Sequence, residues 1–185
     1  MKWFLIIVGV VVVLAAVTAI GLYNGIVARH ETITAKWAQV ENQLQRRNDL
    51  IPNLVSSVKG YAAHEKTVFE DVTKARSQWA GAKSLDEKVA AAGGMDSALA
   101  RLIAVAENYP QLKADQTFLK LMDELSGTEN RIAVERMRYN EAVKDYNITV
   151  RLFPGNVVAG AFGYTPATEY FKAAEGAKSV PEVKF

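Results

Sequence analysis

The chain contains no cysteine. That excludes disulfides, thiolate metal sites and cysteine nucleophiles, and it leaves the redox compartment open. Histidine is scarce: His30 and His64 are the two in the chain. His64-Glu65 lacks the second histidine, four residues on, that an HExxH zinc site requires, so His64 reads as a helix-surface residue. No Glu-x-x-His pair occurs, which leaves a di-iron bundle without ligands. G-x-S-x-G and a glycine-rich phosphate loop are also missing, Gly93-Gly94 being too short for the latter. Charge of one sign is not in excess either. The 22 basic and 20 acidic side chains are interleaved, giving a net charge of +2 and no basic stripe of the kind a phosphate backbone needs. These absences point away from an enzyme, a cofactor, a metal site and a nucleic-acid partner.

What is present is a long apolar run. Residues 3–22 carry no charge, and Thr18, whose hydroxyl can bond back to its own helix, is the one polar side chain. Twenty residues at 1.5 Å rise span about 30 Å, the thickness of a hydrocarbon core. Trp3 and Tyr23 stand where interfacial aromatics belong. The reading is a transmembrane anchor over residues 1–24, with the lipid bilayer as partner. The alternative is a cleaved signal peptide with Val17-Thr18-Ala19 as the cleavage site, but the apolar stretch exceeds a typical h-region. Basic residues nearly tie across the span, Lys2 and the α-amino group against Arg29 and Lys36. They lean slightly toward an N-terminus inside the cytoplasm and the remainder outside. Gly21 and Gly25 at the membrane edge suggest a flexible joint, or a close helix–helix contact.

From Ile33 onward apolar residues recur in steps of three and four: Ile33, Trp37, Val40, Leu44, Ile51, Leu54, Val58 and Tyr61. Pro52 interrupts the run without shifting its phase, so one kinked helix is expected, with an arginine of a neighbouring helix or Asn53 serving the Asn48 carbonyl. The same face continues through Val68, Val72, Ala75 and Trp79 to a stop near Gly81. Ser84 and Glu87 form a capping-box pattern that starts a helix at Leu85. Gly93-Gly94 should weaken that helix, with Asp96 capping a fresh start. Tyr109-Pro110 ends it, and Asp115 is the next N-cap. Met122, Leu125, Glu129, Ile132, Arg136, Tyr139, Val143, Tyr146, Val150 and Phe153 then follow at a coiled-coil-like period. Glu129 and Arg136 are polar members of that seam. Candidate partners on the first helix are Arg46 or Arg47, Glu41 and Asp49; solvation at the seam's edge is the plainer reading. Residues 156–171, nearly uncharged and aromatic, either pack across the bundle end or lie in the membrane interface; the packed arrangement is favoured because no basic residue flanks an apolar face before Lys172. Residues 172–185 read as a loose tail. The expected fold is all-α: an N-terminal transmembrane helix followed by an antiparallel long-helix bundle over residues 25–171.

The run from Arg46-Arg47-Asn48-Asp49-Leu50 through Ile51-Pro52-Asn53-Leu54-Val55, followed by Val58-Lys59-Gly60-Tyr61 and His64-Glu65, resembles the signature of the LemA family of bacterial membrane proteins. Tyr109-Pro110, Leu112-Lys113-Ala114, Glu129-Asn130-Arg131-Ile132, Tyr139-Asn140, Tyr146-Asn147 and Phe153-Pro154 extend the likeness over nearly all of the chain after Tyr23. The resemblance implies a short anchor in the bacterial plasma membrane and a long-helix bundle, but no reaction. Relatives among magnetosome-membrane proteins imply roles in membrane organisation or assembly. The signature residues singled out as structural or interaction candidates are Arg47, Asp49, Pro52, Gly60, Glu129, Arg136, Tyr139, Asn140, Tyr146 and Asn147. Pro52 would set a kink, Gly60 would admit a neighbouring helix, and Tyr139 and Tyr146 would fill the core with hydroxyls bonded to asparagines. The expected function is a non-catalytic, membrane-anchored scaffold or interaction protein, homo-oligomeric and open to other membrane proteins. The alternative is an enzyme or accessory subunit in which Arg47, Asp49, Glu129 and Arg136 line a polar pocket formed only on assembly.

Overall fold

Among residues 1–171, which the computed structural model describes, all regular elements are helices: α1 (Lys2–Lys59), α2 (Lys66–Gly81), α3 (Leu85–Glu107), α4 (Pro110–Lys113), α5 (Gln116–Arg151) and α6 (Gly155–Ala161). The all-α expectation holds, with an apolar N-terminal helix and further helices packing together. The expected tail at 172–185 lies outside the described residues.

The helix ends follow local chemistry. Ser84 accepts the Glu87 amide while the Glu87 carboxylate takes the Ser84 amide, so α3 begins at Leu85 with a complete capping box. The Asp115 carboxylate accepts the amides of Thr117 and Phe118, both at 2.9 Å, and opens α5. Pro110 supplies the first position of α4, where its missing N–H costs nothing.

Four expectations need correction. The joint at Gly21 and Gly25 is absent, because α1 stays helical through both. α1 also runs through Pro52, as expected, with the Ser56 hydroxyl donating to the Pro52 carbonyl at 2.8 Å. It stops at Lys59, however, instead of carrying the apolar face on to Trp79. The chain tightens there, the Tyr61 amide reaching back only three residues to Val58 at 3.0 Å, and α2 starts afresh at Lys66. Gly93-Gly94 does not divide α3. Met95, Ala98, Leu99 and Leu102 are buried on its core face, and burying such side chains at about 1.5–3 kcal/mol for a large one outweighs roughly 1 kcal/mol per glycine. Finally, the α5 seam ends at Val150: the helix closes at Arg151, and Phe153 is 82% exposed.

The chain forms two compact units. Unit 1 comprises Met1–Gln39 and Met137–Tyr170; unit 2 comprises Val40–Arg136 together with Phe171 among the described residues. Unit 2 has a continuous core in which Ile51, Leu54 and Val58 of α1 meet Val72 of α2, Leu99 and Leu102 of α3, Leu112 of α4 and Leu125 of α5. In unit 1 the apolar residues 3–22 are exposed along their whole length apart from partial cover at the end. Beyond them α1 and α5 run antiparallel in a fixed register. Trp37 lies edge-on to Tyr139 with ring centroids 5.8 Å apart, and His30 edge-on to Tyr146 at 5.7 Å. Ile26 shares a small core with Tyr146, Val150 and Ala159.

Candidate functional site

Unit 2 holds the polar cluster. α1 turns Arg47 inward on the same side as Leu44, Ile51 and Leu54, because positions three, four and seven residues apart share a helix face. Its side chain is 2% exposed. Burying a guanidinium is costly unless its donors are matched, and here three groups accept from it. One nitrogen bonds the Asp96 carboxylate of α3 and the Glu129 carboxylate of α5, the latter at 3.0 Å; the other reaches the Ala92 carbonyl at 3.4 Å. Asp96 and Glu129 are each 42% exposed, so water shares their hydration. Arg136 closes the network 3.8 Å from Asp96, with its guanidinium 5.1 Å over the Phe171 ring. Burial pushes the Arg136 guanidinium below its usual range, and Asp96 opposes that shift. Arginine remains charged throughout. Two cations and two carboxylates therefore balance, and they join α1, α3 and α5.

Sequence reasoning singled out Arg47, Glu129 and Arg136 and left Arg46 or Arg47 open as the partner of Glu129, which the structure pairs with Arg47. It missed Asp96, which is not an N-cap but the acid both arginines share. The available signal was its isolation: Asp96 is the one acidic residue between Val89 and Ala106. Neither Glu41 nor Asp49 is an Arg136 partner. Glu41 pairs with Lys88 of α3, and Asp49 accepts from Gln45 on its own helix at 2.8 Å. Asn48 does receive an arginine of the neighbouring helix, Arg76, but on its side-chain oxygen, at 3.4 Å. Gly60 admits no neighbouring helix: an added Cβ would meet only the carbonyls of Ser56 and Ser57 in the last turn of α1.

Unit 1 holds a second constellation, built on Tyr146 and Asn147 of α5. The Tyr146 hydroxyl donates to the Thr165 carbonyl at 2.9 Å, not to an asparagine, and burial holds the phenol above its ordinary value, in the donor form. Asn147 brackets one residue of the chain after α6. Its amide nitrogen donates to the Ala167 carbonyl and its oxygen accepts the Ala167 amide, both at 2.8 Å. The same nitrogen lies 3.0 Å from the Tyr170 hydroxyl. The stretch following α6 is thus fastened to α5 by side-chain bonds that imitate a backbone ladder. Tyr139 is buried against Trp37, and Asn140 is half-buried on the same helix.

The concave features are shallow. An open recess of about 500 Å³ is lined by Gln78, Gly81, Ala82, Glu87, Ala90 and Ala91. Its carboxylate, Glu87, is held below the ordinary range by the Lys83 and Ser84 amides it caps. A smaller recess of about 190 Å³ touches Asp96 and Glu129. Among the described residues no three histidine, aspartate or glutamate side chains converge to hold a metal ion.

Comparison with known proteins matches residues 36–185 to the LemA family. The chain is 31% identical over 179 residues to magnetosome proteins MamQ 1 and MamQ 2 of Paramagnetospirillum magneticum, covering 81% of this chain and 64% of each relative. It is 29% identical over 175 residues to magnetosome protein MamQ of Magnetospirillum gryphiswaldense, covering 80% and 64%. The chain therefore spans a little under two thirds of the length of these relatives.

Proposed function

Since this chain belongs to the LemA family, we propose that it is a non-catalytic, membrane-anchored helical protein that organises protein or membrane assemblies. One observation carries the anchor: residues 3–22 are uncharged, helical and exposed, and twenty such residues cross a hydrocarbon core. The non-catalytic reading is supported by the polar cluster. Arg47, Asp96, Glu129 and Arg136 pair in a charge-balanced network, and Asp49, the remaining member of the supposed pocket, lies outside it. From the magnetosome proteins we extend the proposal to work at a membrane-bound assembly. The protein sits in the bacterial plasma membrane with its N-terminus in the cytoplasm, and it self-associates.

Alkaline-carbonate extraction of membranes tests the anchor. The full chain should stay in the pellet and a chain lacking residues 1–24 should be released. Recovery of the full chain in the supernatant, or a mature mass lacking the apolar run, refutes it. Reporter enzymes fused at each end decide topology, and sedimentation of the detergent-solubilised protein over a wide concentration range decides self-association, a strict monomer counting against it.

A further inference from the structure

Unit 1 contains large apolar side chains that packing among the described residues leaves mostly exposed. Leu152, Val157 and Phe162 are each 62% exposed and Phe153 is 82% exposed, whereas Gly155 and Ala159 between them are buried against the unit. No charged residue occurs between Arg151 and Glu169. The level of this cluster relative to α1 follows from the helix register. Trp37 faces Tyr139, seven residues toward the N-terminus His30 faces Tyr146, and four residues further Ile26 packs with Val150. Each step back along α1 matches an equal step forward along α5. Three more residues bring Tyr23 to the level of the turn that follows Arg151, where α5 ends. The ring contacts fix the same level independently, since Phe162 lies 4.6 Å from Tyr23, centroid to centroid, and Tyr164 lies 6.3 Å from it. Tyr23 directly follows the apolar run of residues 3–22, with the polar Asn24 after it.

The geometry points to a second membrane contact: the end of α5 and the outer side of α6 rest in the interfacial layer of the bilayer that α1 crosses, with Leu152, Phe153, Val157 and Phe162 facing lipid. The inference rests on the reading of residues 3–22 as a membrane span. A peripheral apolar surface of this kind binds through its buried apolar area and is flanked by charge that stays among the headgroups. Arg29 and Arg151, both exposed, stand at that boundary. The arrangement gives the anchor a function beyond tethering. A single helix leaves the unit free to rotate and tilt, whereas a second contact beside it fixes one face toward the lipid.

The absence of cysteine makes the test direct. Single cysteines at Leu14, Leu152, Val157 or Ala35, all exposed positions, are labelled with an environment-sensitive fluorophore. The full chain is reconstituted in vesicles of phosphatidylcholine and phosphatidylglycerol. Quenching by nitroxide-labelled lipid is compared with quenching by aqueous iodide. The Leu152→Cys and Val157→Cys labels should be quenched by the lipid nitroxide and protected from iodide several-fold relative to Ala35→Cys, which lies about 18 Å beyond Tyr23 along the helix. Iodide quenching at Leu152 and Val157 equal to that at Ala35, with Leu14→Cys still in lipid, overturns the inference and leaves the anchor standing. Protection from both quenchers means a protein surface covers the cluster, and overturns it too. Iodide quenching at Leu14 overturns the anchor reading itself.

Discussion

Replacing Arg47 tests the polar cluster most directly. Losing one member of a fully buried ion pair costs about 3–5 kcal/mol, because the partner is left charged and dry. Exposed pairs are worth only about 0.2–1 kcal/mol. The cluster lies between these limits. Arg47 itself is sealed from water, but Asp96 and Glu129 keep 42% of their surface and can rehydrate. Arg136 also remains 3.8 Å from Asp96. Arg47→Met keeps most of the side-chain volume and removes the charge, and about 2 kcal/mol of destabilisation is expected. Arg47→Ala adds a cavity beside Leu44 and Ile51, taking the loss to roughly 3–4 kcal/mol. Arg47→Met leaves the cluster with one excess negative charge, which Asp96→Asn removes. The double variant should therefore be less destabilised than the two singles together, with a coupling of about 1–2 kcal/mol. Urea unfolding of the detergent-solubilised chain, followed by circular dichroism, measures all of these. If Arg47→Met unfolds within about 0.5 kcal/mol of the parent and the double variant is additive, the reasoning fails.

Asn147→Ala leaves the Ala167 amide and carbonyl without their partner; a loss of about 2 kcal/mol and faster amide exchange over residues 163–170 are expected, and unchanged exchange there counts against the bracket. Gly155→Ala would place a Cβ 2.1 Å from the Thr149 carbonyl oxygen. The backbone must shift, lowering stability by roughly 1–3 kcal/mol and loosening the α5–α6 turn, whereas an unchanged melting temperature would contradict this close approach. The Phe118 amide bond, foremost among its partners, holds the Asp115 carboxyl below its ordinary value. A carboxylate depressed in the folded state contributes its stabilisation fully above its unfolded pKa and loses it as pH falls through the folded one. The Asp115 contribution should be complete above the ordinary carboxylate range and be lost as pH falls below it. Asp115→Asn, which caps without titrating, should make that acid slope shallower, and an identical slope would exclude Asp115 as a contributor.

Much of the architecture was legible because helices are local objects. The apolar helical run at residues 3–22, the capping box at Ser84, the cap at Asp115 and the seam from Leu125 to Val150 depend on neighbours three and four residues away, which a sequence displays directly. The resemblance carried by the run around Pro52 and the later Tyr-Asn pairs was legible for the same reason, and it led to the LemA family. Three features were not local. The break after Lys59 turns on where the core of unit 2 can be completed, since Val58, Ala62 and Val72 meet Leu99 and Leu102 only once α2 has folded back. Asp96 changes from a supposed cap to the shared partner of Arg47 and Arg136 because α3 runs unbroken through two glycines, held by tertiary burial that exceeds their propensity cost. Asn147 fastens Ala167, twenty residues away, in a segment without periodicity. Sequence alone determined that the chain is helical, where α3 and α5 begin, and which residues of α1, α3 and α5 form their apolar faces. Tertiary structure decided which charges meet and which apolar side chains stay uncovered, because those outcomes depend on distances between residues that the chain order does not specify.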